Sequence, residues 1–280
     1  MEKTLRKYFL FFVGPTLIAF ILAFAMPFLL GVFLSFSRFT TVLDAQWVGV
    51  ANYKRVFSNP DFLNSLWFSV KFTVISVVLI NVLAFCLAML LTREIPGTNA
   101  FRTIIFMPNL IGGIVLGYIW QFIINGYLYN FGVTITVDPK YGFWGLVILN
   151  NWQYVGYMMI IYIAGIQNIP EELNEAAKMD GANSFTKLTR ITLPLIMPSI
   201  TITMFLSITN SFRMFDQNLS LTAGMPGKQT AMVALDIYNT FYSRGGWEGV
   251  GQAKAVIFFI LVVLISFVQL SITRKRELES

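Results

Sequence analysis

The chain has 280 residues, of which 56% are hydrophobic and 12% charged, and its mean hydropathy is +0.68. Soluble domains carry about 25% charged residues, so this composition excludes an ordinary soluble globule and assigns most of the chain to lipid. There is no histidine, and the one cysteine, Cys86, lies in an apolar run. That excludes an intrachain disulfide, a His-based general base and a Cys/His zinc site, and no metal site is expected. The net charge of +6 could serve nucleic acid, but the basic residues flank apolar runs, so no nucleic-acid partner is expected.

Charge-free runs map a membrane chain, because a charge at mid-bilayer costs roughly 2.5–3.5 kcal/mol on insertion scales. Six runs stand out, 8–37, 72–92, 103–137, 141–170, 191–212 and 255–273, whereas the next, 217–227, has only 11 residues. About 20 residues are needed to cross a bilayer, so six spans are predicted within one permease-like domain over 1–280. The first, about 9–36, follows Lys3, Arg6 and Lys7 and contains Ala23-Phe24-Ala25. A secretory signal would end sooner, and this run continues to Phe36, so it is expected to remain as a span. The second covers about 70–92 and the third 103–125, after which Asn125, Gly126, Gly132, Thr134 and Thr136 leave the membrane as a turn-rich tail. Gly113-x-x-x-Gly117 in the third is either a small-residue packing stripe or a dimer face. The fourth, fifth and sixth cover about 143–167, 191–213 and 254–273.

Lysine and arginine density sets orientation. Residues 1–7, 93–102, 171–190 and 274–280 hold 11 basic residues in 44 positions, and the opposite segments hold 9 in 79. Both termini are therefore expected in the cytoplasm. The six runs contain no Asp, Glu, Lys or Arg, which disfavours a proton- or potential-driven machine and points to energy from another subunit. The nearest nucleotide-site lookalike, Gly224-Met-Pro-Gly-Lys-Gln-Thr230, fails as a P-loop. Thr222 stands where the leading glycine belongs, and Gln229 stands where Ser or Thr must follow the lysine. It reads as an external turn. The rest of 213–254 has Met232, Leu235, Ile237, Tyr238 and Phe241, more apolar than a solvated loop needs, so part of it is expected to dip back towards the pore.

The loop 168–190 is distinctive. Pro170 and the acids after it suit a helix start, Ala176 to Met179 are good helix formers, and Gly181 offers a stop before a second short helix through Phe185 and Leu188 that Pro194 interrupts. From these residues alone, a coupling elbow and a plain surface linker are equal readings. The spacing Glu175-Ala176-Ala177, then Gly181, Ile191, Leu193 and Pro194 resembles the EAA signature of permease subunits of bacterial ABC importers.

The likeness extends over most of the chain and is similar to the maltose and glycerol-3-phosphate branch. It includes Trp47 to Tyr53, Phe101-Arg102 leading to Met107-Pro108, Leu221 to Pro226, and Gly251-Gln252-Ala253, with departures at Ala223 and Lys254. The resemblance implies an all-α integral membrane protein with the six-helix type I ABC importer permease fold, multi-pass in the bacterial plasma (inner) membrane. It implies a non-catalytic subunit translocating a sugar or oligosaccharide. The implied partners are a second homologous permease as a heterodimer, two ABC ATPase subunits holding the ATP and Mg that this chain lacks, and an extracellular solute-binding protein. Glu175, Ala176, Ala177, Asp180, Gly181, Leu193 and Pro194 would then couple to the ATPase, with Asp180 supporting the turn.

An uncharged sugar needs amides, hydroxyls and aromatic faces. The resemblance gives Asn150, Gln153, Tyr154, Ser207 and Ser211 as pathway residues. Asn150, Asn151, Gln153, Asn210 and Ser211 also stand out because a polar group in lipid is costly unless partnered. For each, a plain interhelical hydrogen bond is the equal alternative. Asn81, Trp120 and Gln121 are weaker candidates. The rival reading is a stand-alone secondary sugar transporter or facilitator, which needs two related halves, and no internal repeat is visible.

Overall fold

The computed structural model describes residues 2–93 and 96–278, with side chains for 11–93 and 96–273. The side chains of Lys3, Arg6 and Lys7, and of the basic residues 274–276, lie outside the described residues. The described chain is almost all helix. In order it contains α1 (Glu2–Phe20), a π-helical turn over Ile21–Ala25, α2 (Met26–Ser35), β1 (Ser37–Arg38), β2 (Gln46–Trp47), α3 (Ala51–Phe57), α4 (Pro60–Leu91), α5 (Thr98–Phe106), α6 (Gly113–Leu128) and α7 (Pro139–Gln167). These are followed by α8 (Glu171–Met179), α9 (Ser184–Lys187), a second π-helical turn over Leu188–Thr192, α10 (Leu193–Leu195), α11 (Met197–Phe212), α12 (Asp216–Leu221), α13 (Val233–Ser243) and α14 (Glu248–Leu278).

Four stretches are long and apolar enough to cross a membrane as they stand, Phe11–Ser35, Pro60–Leu91, Pro139–Gln167 and Glu248–Thr273. Two more qualify only as bent pairs, Thr98–Leu110 with Gly113–Phe131 at 102°, and Ser184–Leu195 with Met197–Phe212 at 71°. Counting each pair as one gives six spans. The bends have local causes. Pro108, followed by Gly112 and Gly113, interrupts the first, and Pro194 and Pro198 remove backbone donors around the second. Large apolar side chains such as Phe12, Phe20, Leu29, Phe122 and Phe267 stand exposed on these helices, as they do when lipid is the solvent.

The chain forms two compact units. The first comprises Met1–Phe62 and Ile237–Phe259. Here Asn52 Nδ2 donates to the carbonyls of Ser35 and Ser37, both at 2.9 Å, and Ser35 Oγ lies 2.7 Å from Tyr53 Oη, so the Trp47 to Tyr53 landmark anchors the end of α2. Between the two short strands, the amides of Thr40 and Thr41 each donate to Asp44 at 2.9 Å, which holds its carboxyl below the usual carboxylate range. A side chain at Gly249 would strike the Ser37 carbonyl, and Phe28 packs on Phe259 at 4.8 Å. Arg244 bonds Asp61 at 2.9 Å and lies over Trp247. Lys254 is fully buried, donating to Thr240 Oγ1 at 2.9 Å above the Phe62 ring.

The second unit comprises Leu63–Asp236 and Ile260–Ser280. One core gathers Phe68, Phe72, Leu116, Leu146, Leu221 and Met232, and another gathers Ile80, Ala84, Met158, Tyr162 and Ile196. Helix α5 lies so close to α7 that a Cβ at Gly156 would run into the Ile105 carbonyl. Arg102 reaches back to donate to the Leu91 carbonyl at 2.7 Å, satisfying one of the carbonyls that the end of α4 leaves open.

Candidate functional site: a two-helix elbow and a polar cavity

Helix α8 carries Glu171 and Glu172 in its first turn, where the helix dipole favours anions. It stops at a Schellman arrangement. The Ala182 amide bonds the Ala177 carbonyl at 2.9 Å, the Gly181 amide bonds that of Lys178 at 3.1 Å, and Gly181 takes φ +71°. Asn183 then caps α9, accepting from the Thr186 amide at 2.8 Å. Two short helices joined by a tight turn therefore form from signals inside the segment. Glu175, Ala176, Asp180 and Gly181 are exposed, while Ala177 turns inward and is buried. Around them Met179 is 89% and Phe185 72% exposed, apolar groups standing out of the elbow. Leu193 packs against the second core, and Pro194 sits just before the 71° bend.

The polar residues of the spans separate into distinct groups. Gln153, Tyr154 and Asn210 line a cavity of about 340 Å³ together with Gly113, Arg213, Asp216 and Gln217. Gln217 Nε2 donates to Gln153 Oε1 at 2.7 Å, and Gln153 Nε2 reaches the Ile111 carbonyl at 3.4 Å, a carbonyl left without a helical partner by the bend between α5 and α6. Asn150 and Ser211 are elsewhere, fully buried and bonded to each other at 3.2 Å across α7 and α11. Asn151 donates to the Val147 carbonyl of its own helix at 2.8 Å. The carbonyl oxygens of Asn150 and Asn151 have no hydrogen-bond partner among the described residues. Ser207 belongs to a third group. Tyr162 donates to Asn81 Oδ1 at 2.8 Å, Asn81 Nδ2 donates to Ser207 Oγ at 2.9 Å, and Ser207 donates to the Thr203 carbonyl at 2.7 Å.

Arg213, Asp216 and Gln217 are cavity residues that the sequence reading did not single out. Their signal was positional, since Arg213 and Asp216 are the first charges after the fifth run. Arg213 and Asp216 are exposed, and the segment that follows them is largely buried. Gln217, Asn218, Ser220, Leu221, Thr230, Met232 and Val233 are all inside the unit. Helix α12 seats on α6 at Gly113 and Gly117, where an added Cβ would meet Asp216, Gln217 and Ser220. The glycine pair thus accommodates a segment of the same chain. Asn218 holds the segment together, donating to Thr222 Oγ1 at 3.0 Å and the Thr230 carbonyl at 2.8 Å and accepting from the Met232 amide at 2.9 Å. The Val233 amide donates to Ser69 of α4 at 3.0 Å. The P-loop lookalike is a turn, closed by the Thr230 amide on the Gly224 carbonyl at 3.2 Å.

Residues 81–277 match the family of binding-protein-dependent transport system inner membrane components. The chain is 43% identical, over 96% of its length and 94% of the relative's, to the probable starch degradation products transport system permease protein AmyD of Thermoanaerobacterium thermosulfurigenes. It is 31% identical, over 85% and 83% respectively, to the trehalose/maltose transport system permease protein MalF of Thermococcus litoralis. Its fold is that of a chain from a bacterial ABC transporter involved in the import of the acidic polysaccharide alginate, with a TM-score of 0.83 over 98% of both chains at 21% identity. The expected type I permease fold is therefore present. With bent spans, no charge in their apolar runs and a family match from Asn81 to the last helix, the chain belongs to the binding-protein-dependent transport system inner membrane components, as the membrane-spanning, non-catalytic permease subunit of an ABC importer.

Proposed function

We propose that this subunit forms one half of a pathway for a neutral sugar or oligosaccharide. The observation that carries the reading is the 340 Å³ cavity, whose amides and hydroxyl suit a polyol and whose two charges are of opposite sign. Gln153, Tyr154 and Asn210 contact the sugar. Asn150, Asn151, Ser207 and Ser211 shape the helices around the path, and the first two bring their open carbonyl oxygens. A second, homologous permease completes the pathway as a heterodimer, and an external solute-binding protein delivers the substrate. The relatives named for starch degradation products and for trehalose/maltose support a saccharide, and a related transporter has been solved with an alginate pentasaccharide-bound periplasmic protein.

Both termini lie in the cytoplasm, as does the elbow 168–190, where two ATPase subunits hold ATP and Mg. Glu175, Ala176 and Ala177 dock on the ATPase, small side chains permitting close approach. Asp180 and Gly181 shape the turn, and Leu193 and Pro194 pass the displacement into α11. In proteoliposomes containing all four kinds of subunit, sugar uptake should require ATP. Gln153→Leu or Asn210→Leu, each leaving a sugar hydroxyl unpaired at about 1–3 kcal/mol, should reduce uptake by roughly 5- to 100-fold. Undiminished uptake in both variants would overturn the cavity assignment. Uptake by this chain without the ATPases would instead support the stand-alone transporter.

A further inference from the structure

A second cleft in the same unit, about 520 Å³, lies between the N-terminal parts of α4 and α7. Its volume falls within the range of roughly 300–1,000 Å³ typical of ligand sites. Its chemistry differs from that of the first. Lys71 and Lys140 line it, and its lining contains no Asp or Glu. Neither ammonium has an ion-pair partner among the described residues. Trp67 and Trp144 stand beside them, 63% and 52% exposed, and Phe68 and Phe143 meet edge to face at 5.6 Å behind.

The two helices are parallel, since Phe72 meets Phe143 near one end and Phe85 meets Tyr162 farther along both helices. Phe143 touches both Phe68 and Phe72, which sets Lys140 at the height of Trp67 and Trp144 at the height of Lys71. Each lysine also has its own helix's tryptophan four residues away, and the Lys71 Nζ lies 6.0 Å from the Trp67 ring. Both lysines immediately precede charge-free runs, so the cleft lies at the boundary where headgroups meet hydrocarbon. Two unpaired cations, two interfacial indoles and an aromatic wall complement a phosphate that is joined to an acyl chain.

We propose that this cleft binds an anionic phospholipid, Lys71 and Lys140 taking the headgroup phosphate and the Phe68/Phe143 wall the upper acyl chain. On the orientation proposed above, the lipid belongs to the outer leaflet, but binding itself does not depend on that orientation or on the transported sugar. The test uses the complete transporter in nanodiscs of phosphatidylcholine doped with phosphatidylglycerol, with retained lipid read by native mass spectrometry. Phosphatidylglycerol should be retained over phosphatidylcholine. K71Q/K140Q should weaken that retention by about tenfold, whereas K54Q/R55Q, which removes the same charge elsewhere, should not. Equal retention of the two lipids by the unmodified complex, or equal loss in both double variants, would overturn the proposal. So would a photocrosslinker at position 144 reacting with another subunit instead of lipid. If K71Q/K140Q does not assemble, tryptophan quenching in the unmodified complex decides: brominated phosphatidylglycerol should quench more than brominated phosphatidylcholine, and equal quenching refutes the site.

Discussion

Gly181 offers a clean perturbation of the elbow. Its φ is +71°, and a Cβ built there meets nothing within 4 Å. Within this chain, any effect of substitution is therefore conformational and not steric. A left-handed backbone costs an L-residue roughly 1–2 kcal/mol, less for Asn, whose short amide bonds locally. That energy would shift the population holding the Schellman turn by a factor of about 5–30. Stimulation of ATP hydrolysis by sugar-loaded binding protein should accordingly fall in the order Gly181, Gly181→Asn, Gly181→Ala, Gly181→Val, with the subunits still copurifying. The assay is ATP turnover by the reconstituted complex. If Gly181→Val retains full stimulation, or if Gly181→Asn is as impaired as Gly181→Val, the turn is not what transmits the signal.

Gly156→Ala should be far costlier, because its Cβ meets the Ile105 carbonyl and the Phe106 Cα, backbone atoms that cannot rotate away. A loss of about 1–3 kcal/mol or more, read as a lower melting temperature of the purified complex, is expected. Gly126→Ala, with nothing within 4 Å, should leave melting unchanged or raise it slightly, by up to about 1 kcal/mol. Tyr162→Phe removes the donor to Asn81 and should cost about 0.6–1.7 kcal/mol. A double-mutant cycle of Tyr162→Phe with Ser207→Ala should be non-additive, since Asn81 joins the two. Asp44 titrates below the ordinary carboxylate value, so its support of the 40–44 turn is complete above about pH 4 and is lost only as pH falls through its lower folded value. Infrared titration of the isotope-labelled carboxyl should give a midpoint below about 3.9, and a midpoint above that refutes the two amide bonds.

The helices were legible because charge exclusion from lipid writes their positions directly into composition. Their directions were not. A run free of charge records burial in hydrocarbon, and 103–125 and 191–213 read the same whether straight or bent at Ile111–Gly112 and Ile196. Gly112, Pro194 and Pro198 carried the signal, but a proline or glycine in a span is compatible with a mild kink as well as with a sharp turn. The elbow was readable in outline, since Pro170 and Gly181 act on their immediate neighbours, whereas the Asn183 cap of α9 was not singled out. The cavity was half readable. Gln153, Tyr154 and Asn210 are conspicuous amides and a phenol in apolar surroundings, whereas Gln217 enters it only because α12 settles against Gly113 and Gly117, a pairing more than 100 residues apart in the sequence. Periodicity along one helix contains no record of such a partner, and the glycine pair was equally consistent with a neighbouring subunit.

Asn218 ties Thr222, Thr230 and Met232 into a closed ring of bonds, and the Val233 amide anchors the far end to Ser69. The residues inside that ring, Met225 to Gln229, are largely on the surface. The ring therefore insulates the wall of the cavity from its own outer tip. Length and composition could drift between Met225 and Gln229 while Gln217 keeps its position, so that this surface turn can be remodelled without retuning the cavity beneath.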